Sequence, residues 1–328
     1  MTWLTWRQFR VPALSVFAGL LAIAVVLAIT GPELVGRTSF SDEDVLFQGT
    51  ILALYLLPAV IGVFWGVPMI TRELESGTHS LVWNQTVTRK RWLTTKLGFG
   101  LLAAMLAAAV LSVAVSWWAS PIDALSAQQT DRGMMPRIAP VVFGARGIVP
   151  IGYAAFALAL GVAVGMLLKR TVAAMAITLV TLAAVLFLVP TFVRPYLIPP
   201  EQVTLPIVGE YVTNITGDDK RGITEIGVRK PAGSWELGNE TLDPAGNVAD
   251  PLPSFVQDCS PRLDQGPPPE RGMLEACVAQ LGAHGYQQRV TFQPGSRFWP
   301  LQWLELALYL AMTALLTWFC FRRLRHLS

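Results

Sequence analysis

The sequence predicts an all-α membrane protein of six transmembrane helices, with a mixed α/β extracytoplasmic module between the fifth and the sixth. Three observations predict it. Only 14% of the 328 residues are charged, where a soluble domain carries about a quarter. The charges fall into clusters separated by apolar runs of about twenty residues, the length that crosses a hydrocarbon core about 30 Å thick. One long stretch, residues 194–297, breaks the pattern with prolines, glycines, aspartates and asparagines.

The apolar runs lie at 11–30, 51–70, 97–118, 148–168, 171–193 and 298–321. In lipid each backbone amide must be bonded within its own segment, so each run reads as a helix. The first follows Arg7 and Arg10 as a secretory leader would, but its apolar run is too long for a leader core and five more follow. Before it, Trp3, Leu4, Trp6 and Phe9 alternate with the two arginines, the composition of a short helix lying in the membrane interface. Three regions result: 1–193 with the interfacial helix and helices one to five, 194–297 as the extracytoplasmic module, and 298–328 with helix six and a basic cytoplasmic tail.

Orientation follows from the basic residues, which concentrate on the cytoplasmic side of a membrane. With both termini inside, Arg72, Arg89, Lys90, Arg91, Lys96, Lys169, Arg170, Arg322, Arg323 and Arg325 share that side with only two acids, Glu73 and Glu75. Nearly all other acids, including Asp42, Glu43 and Asp44, then fall outside. This is a multi-pass protein of the plasma (cytoplasmic) membrane. Trp117, Trp118, Trp299 and Trp303 sit where an outer aromatic belt belongs, with Trp92 and Trp318 towards the inner one.

Within 194–297, apolar alternation at 203–212 and 289–292 predicts short strands, and 271–281 a short helix. Cys259 and Cys277 both fall here, in the oxidising compartment. A disulfide closing a short loop is preferred over two unpaired thiols. Cys320 lies inside the last helix and reads as packed.

Several function classes are excluded or weakened. No tract of Lys and Arg interleaved with aromatics supports nucleic-acid binding. The three cysteines and three histidines have no metal-ligand spacing. Glu305 is the one clear ionisable residue within the six runs. Ion-coupled carriers use buried carboxylates or histidines near the midplane, so the energy comes from elsewhere. Glu305 itself reads as an outer gate or substrate contact, or, preferably, as an anchor paired at the interface. The chain has no phosphate-binding G-x-x-x-x-G-K-[ST] loop, so any ATP hydrolysis belongs to another polypeptide. An enzyme or sensor built on 194–297 is the competing reading, but that region holds one histidine, His284, and carboxylates without recognisable spacing. Gly161 and Gly165 form a G-x-x-x-G in run four, read as close packing within the chain. Pro58 and Pro68 place kinks in run two.

The loop after run two carries the most explicit local grammar. Gly77 suits a helix end, Thr78 the cap of a second short helix bearing Leu81, Val82 and Trp83, and Thr88 the cap of a third through Arg89 into run three. A short helix with apolar side chains across the mouth of two spans points to a docked partner, with a solvated connector as the bland alternative. The stretch from Arg72 through Glu73, Glu75, Gly77 and Thr78, then Leu81, then 85–89, then Lys96 and Leu97, resembles the cytoplasmic loop of type-two ABC exporter permeases, R-E-x-E-x-G-T with a later leucine, T-P-V-S-R-like turn and lysine. Gln85-Thr86 stands where the wider family favours Thr-Pro. The segments 5–8 and 296–305 also resemble actinobacterial members.

The resemblance implies a type-two (ABCG-like) exporter fold and a permease subunit, not an enzyme. It implies coupling to a separate ATP-binding cassette subunit, holder of ATP and Mg, through loop 71–92, with Arg72, Glu73, Glu75, Gly77, Thr78, Leu81, Trp83, Thr88 and Arg89 as coupling residues. It further implies a dimer with a second copy or homologue, enclosing a substrate path lined by helices one, two and five. Tyr55, Phe64, Trp65, Met175 and Thr178 are the path candidates, and their apolar character points to an amphipathic or hydrophobic substrate.

Overall fold

In the computed structural model, six helices among the described residues are long and apolar enough to cross a membrane. They are Ala13–Leu34, Val45–Glu75, Arg89–Trp118, Val149–Leu168, Thr171–Leu197 and Gly295–Arg323, spans one to six. The structure describes residues 2–36, 45–76, 88–128, 135–208, 212–218, 222–250, 252–253, 256 and 279–324. Two compact units result, one of Met1–Ala124, Pro140–Leu197 and Phe298–Ser328, the other of Leu125–Ala139 and Ile198–Arg297.

In the helical unit the first helix runs unbroken over Thr2–Leu34. The expected separate helix at 1–10 is thus an extension of span one. Starting a helix is costly and lengthening it is not, so a helix already formed in span one propagates back through the preceding turns.

Span four is the axle. Its most apolar window is 83% buried, against 17% for span one and 22% for span five. It packs against spans two, three, five and six, while span one packs on span three and on the middle of span two. Small residues allow this, because Ala154, Ala155, Ala157, Ala159, Gly161 and Ala163 leave room for neighbouring backbones.

Span two departs from α-helical winding at Ile61–Gly66, three residues after Pro58, where the chain takes a π-helical turn. The amide of Val67 donates to the carbonyl of Gly62, five residues back. Proline lacks the amide that an α-turn needs, and a wider turn absorbs the mismatch. Pro68 falls in the first turn of the helix that follows, where its missing amide costs nothing. A second π-turn, Val189–Val193, contains Pro190 and leads into Arg194 near the end of span five.

The turn in span two is also where spans two and four touch most closely. A Cβ on Gly161 would lie 2.3 Å from the carbonyl oxygen of Gly62, and one on Gly66 2.7 Å from that of Leu158. Only glycine fits at such separations. The G-x-x-x-G of span four therefore meets a second G-x-x-x-G, Gly62 to Gly66, inside the same chain.

The other unit holds a three-stranded antiparallel sheet, order β1-β5-β4, and a two-stranded one, β2-β3. The strands are β1 Glu201–Pro206, β2 Val212–Asp218, β3 Gly222–Val228, β4 Trp235–Leu242 and β5 Gln287–Gln293. Of the predicted strand region 203–212, residues 203–206 lie in β1, which ends at Pro206, and the region 289–292 lies within β5; the two strands pair with Val203 opposite Val290. Ile207, Ile226, Leu252, Val256 and Leu281 form its apolar cluster. On β4 and β5, Thr241 donates to Gln288 (2.9 Å) and Gln288 to Asn239 (2.6 Å), so buried polar side chains satisfy one another. Cys259, Cys277 and most of the predicted helix 271–281 lie outside the described residues.

Candidate functional site

Two clusters of polar side chains occupy opposite ends of the helical unit. The first lies where span two ends. Thr88 caps span three, its hydroxyl accepting from the amide of Arg91 at 3.3 Å, as the sequence predicts. Span two ends at Glu75, with Ser76 as a right-handed cap donating to the carbonyl of Arg72. The predicted docking residues Gly77, Thr78, Leu81 and Trp83 lie outside the described residues.

Glu73 and Glu75 do not both face outward. Glu73 turns towards span three, where one carboxylate oxygen meets Lys96 Nζ at 2.5 Å and the other accepts from Trp92 Nε1 at 3.1 Å. Lys96 is buried, donates also to the carbonyl of Met69 at 3.0 Å, and lies 4.9 Å from the centre of the Trp92 ring. Glu75 turns towards span five. It accepts from the Thr171 amide at 2.6 Å and from the Thr171 hydroxyl at 2.7 Å, and that same hydroxyl lies 2.7 Å from the hydroxyl of Thr71. A carboxylate on the first free amide of a helix both satisfies a donor and meets the positive end of the helix dipole. Two glutamates a residue apart thus fork, one to span three and one to span five. Arg72 and Arg89 are exposed.

The second cluster lies at the other end. Glu305 on span six is fully buried and grips Arg194, also fully buried, through Nε at 2.6 Å and Nη2 at 2.9 Å. Tyr153 of span four donates to Glu305 at 2.8 Å and accepts from Arg194 Nη2 at 3.2 Å. Arg194 Nη1 donates to the carbonyl of Pro140 at 2.9 Å, and its guanidinium stands 4.3 Å from the Phe143 ring centre. Bidentate pairing with all three nitrogens hydrogen-bonded is what a buried guanidinium requires. Tyr55 of span two joins the edge of the cluster, stacked on Tyr153 and donating to the carbonyl of Val141 at 3.1 Å.

One turn before Glu305, Gln302 caps span four. Its carbonyl oxygen accepts from the amides of Ile148 and Val149, both at 2.9 Å, and its amide donates to the carbonyls of Phe143 and Arg146, both at 3.1 Å. The cap depends on Gly147, whose positive φ of 69° and missing side chain leave room for the Gln302 amide.

The path candidates do not share a face. Phe64 is 59% exposed, whereas Trp65 is 2% and Thr178 0% exposed, both turned into the helix packing. Met175 is half-buried, and Tyr55 is engaged in the second cluster. Sequence reading placed Arg194 in the extracytoplasmic module and passed over Tyr153 and Gln302. Gln302, Glu305 and Tyr309 recur at three and four residues, one face of a helix otherwise apolar. That spacing was the available signal.

Six apolar helices with their polar side chains turned onto one another define a multi-pass membrane protein. Residues 33–194 match the family model described as ABC-2 membrane transporter related, consistent with a type-two ABC transporter permease. No curated protein and no solved structure gives a match to this chain.

Proposed function

We propose that the chain is the transmembrane subunit of an ATP-driven exporter in the cell membrane, with both termini cytoplasmic and residues 198–297 extracytoplasmic. It pairs with a second copy or a homologue around a substrate path, and a separate ATP-binding cassette subunit, holding ATP and Mg, drives it. Loop 71–92 is the docking element. Leu81 and Trp83 contact the partner, and Arg72 and Arg89 flank the contact.

The observation that carries this reading is the fork of Glu73 and Glu75. Both acids of the R-E-x-E motif bind inside the chain, and together they tie the root of the docking loop to spans three and five. A push on the loop therefore moves three spans at once. Glu73 and Glu75 transmit the motion, and the partner touches the residues beyond them. The Glu305–Arg194 pairing supports the anchor role for Glu305.

The test is co-purification and ATPase stimulation with the cassette subunit in bilayer vesicles. Leu81→Asp abolishes the complex. Glu73→Gln and Glu75→Gln retain the complex and lose most of the stimulation. Survival of both complex and stimulation in all three variants overturns the docking assignment.

A further inference from the structure

Spans one and two enclose a groove of about 260 Å³ between Ala22, Ile23 and Val26 on one side and Leu46, Gly49 and Ala53 on the other. The one hydroxyl in its wall, that of Thr50, already donates to the carbonyl of Phe47 at 2.8 Å, so it has no proton to offer a ligand. No charged side chain lines it. Small residues make the groove. A Cβ on Gly49 would meet nothing within 4 Å. Further along, span one closes on the π-turn of span two, and the groove lies beyond that closure.

We propose that this groove holds one hydrocarbon chain of a bilayer phospholipid. Both walls are membrane spans, so the groove runs with the acyl chains rather than across them. Its rim continues into apolar side chains that are exposed on this chain, Leu21, Val25 and Ile29 on span one and Leu52 and Leu56 on span two. Apolar cavities stay free of water and take up hydrocarbon instead. At about 30 Å³ per methylene, near the volume of a liquid water molecule, there is room for on the order of nine methylenes. That is a length of one acyl chain, and the headgroup stays outside. The site does not depend on ATPase coupling.

The full chain in phosphatidylcholine bilayers, doped with a phospholipid carrying a diazirine on one acyl chain, is irradiated and the adducts mapped by mass spectrometry. Adducts concentrate on Ala22–Val26 and Leu46–Ala53, several-fold above the span-three positions Leu102 and Val113, which are more exposed. Gly49→Leu fills the groove, removes those adducts and leaves labelling of span three unchanged. Ala53→Leu serves as the second variant, and unchanged thermal unfolding shows that both are folded. Equal labelling of the two regions overturns the site, as does labelling that Gly49→Leu and Ala53→Leu leave intact. Chain-to-chain crosslinks in place of lipid adducts assign the groove to a second copy and overturn it too.

Discussion

Glu305 and Arg194 carry full charges at positions with no access to solvent, and each is tolerable only because of the other. Removing one partner of a buried pair costs about 3–5 kcal/mol, while replacing both with apolar residues is often neutral. Glu305→Ala therefore lowers the thermal unfolding midpoint in detergent sharply, and Arg194→Met combined with Glu305→Leu recovers most of the loss. Equal effects of the single and the double change would show that the pair does not act as a unit. In the other unit, Asp243 accepts from the amides of Ala245 (2.9 Å) and Asn247 (2.8 Å). The amide of Asn247 above all holds its carboxyl below the ordinary aspartate range. A depressed acid stabilises the turn above its unfolded pKa and loses that stabilisation as pH falls through the folded one. The Asn247 amide signal in a pH titration should shift below the ordinary aspartate range, and Asp243→Ala should abolish the transition. Which single residues matter was only partly legible. Thr88 announces itself as a cap because the residues after it are helix formers. Arg194 did not, because Pro195 follows it and the polar segment begins there, yet the helix continues through its π-turn to Leu197.

At the scale of elements, the six spans were legible because bilayer thickness fixes their length and amide satisfaction fixes their winding. Their arrangement was not. Spans four and five have mean hydropathies of 2.2 and 2.7, yet one is the axle and the other peripheral. Hydropathy reports preference for lipid over water, and packing against protein is nearly as apolar. Side-chain size separates the two, since alanine and glycine in span four let four neighbours approach. Gly161→Leu forces its Cβ against the Gly62 carbonyl and separates spans two and four. Overpacking of this kind costs about 1–3 kcal/mol, measured as a lower unfolding midpoint. Gly98→Leu, which meets nothing within 4 Å, is the matched control and leaves the midpoint in place. Strands β2 to β4 escaped notice for a different reason. Glycine, asparagine, threonine and acidic residues together outnumber the apolar ones in them, so apolar alternation is too faint to mark a strand.

At the scale of the molecule, composition separates what lipid surrounds from what it does not. The polar stretch 198–297, together with 125–139, forms its own compact unit, while residues 194–197 of the predicted module belong to the helical unit. The two clusters were invisible as clusters, because their members lie far apart in sequence. Glu75 and Thr171 are 96 residues apart, and Arg194 and Glu305 are 111. That second separation has a consequence for how the molecule is made. Ribosomes deliver about 5–20 residues per second, so Arg194 waits roughly five to twenty seconds for its counter-charge, which arrives only with the last span. Until then span five carries an uncompensated cation, and Gln302 is not yet there to cap span four. The final helix thus acts as the keystone of biogenesis. A nascent chain stalled or truncated before it presents an exposed charge in the bilayer that membrane quality-control proteases can recognise.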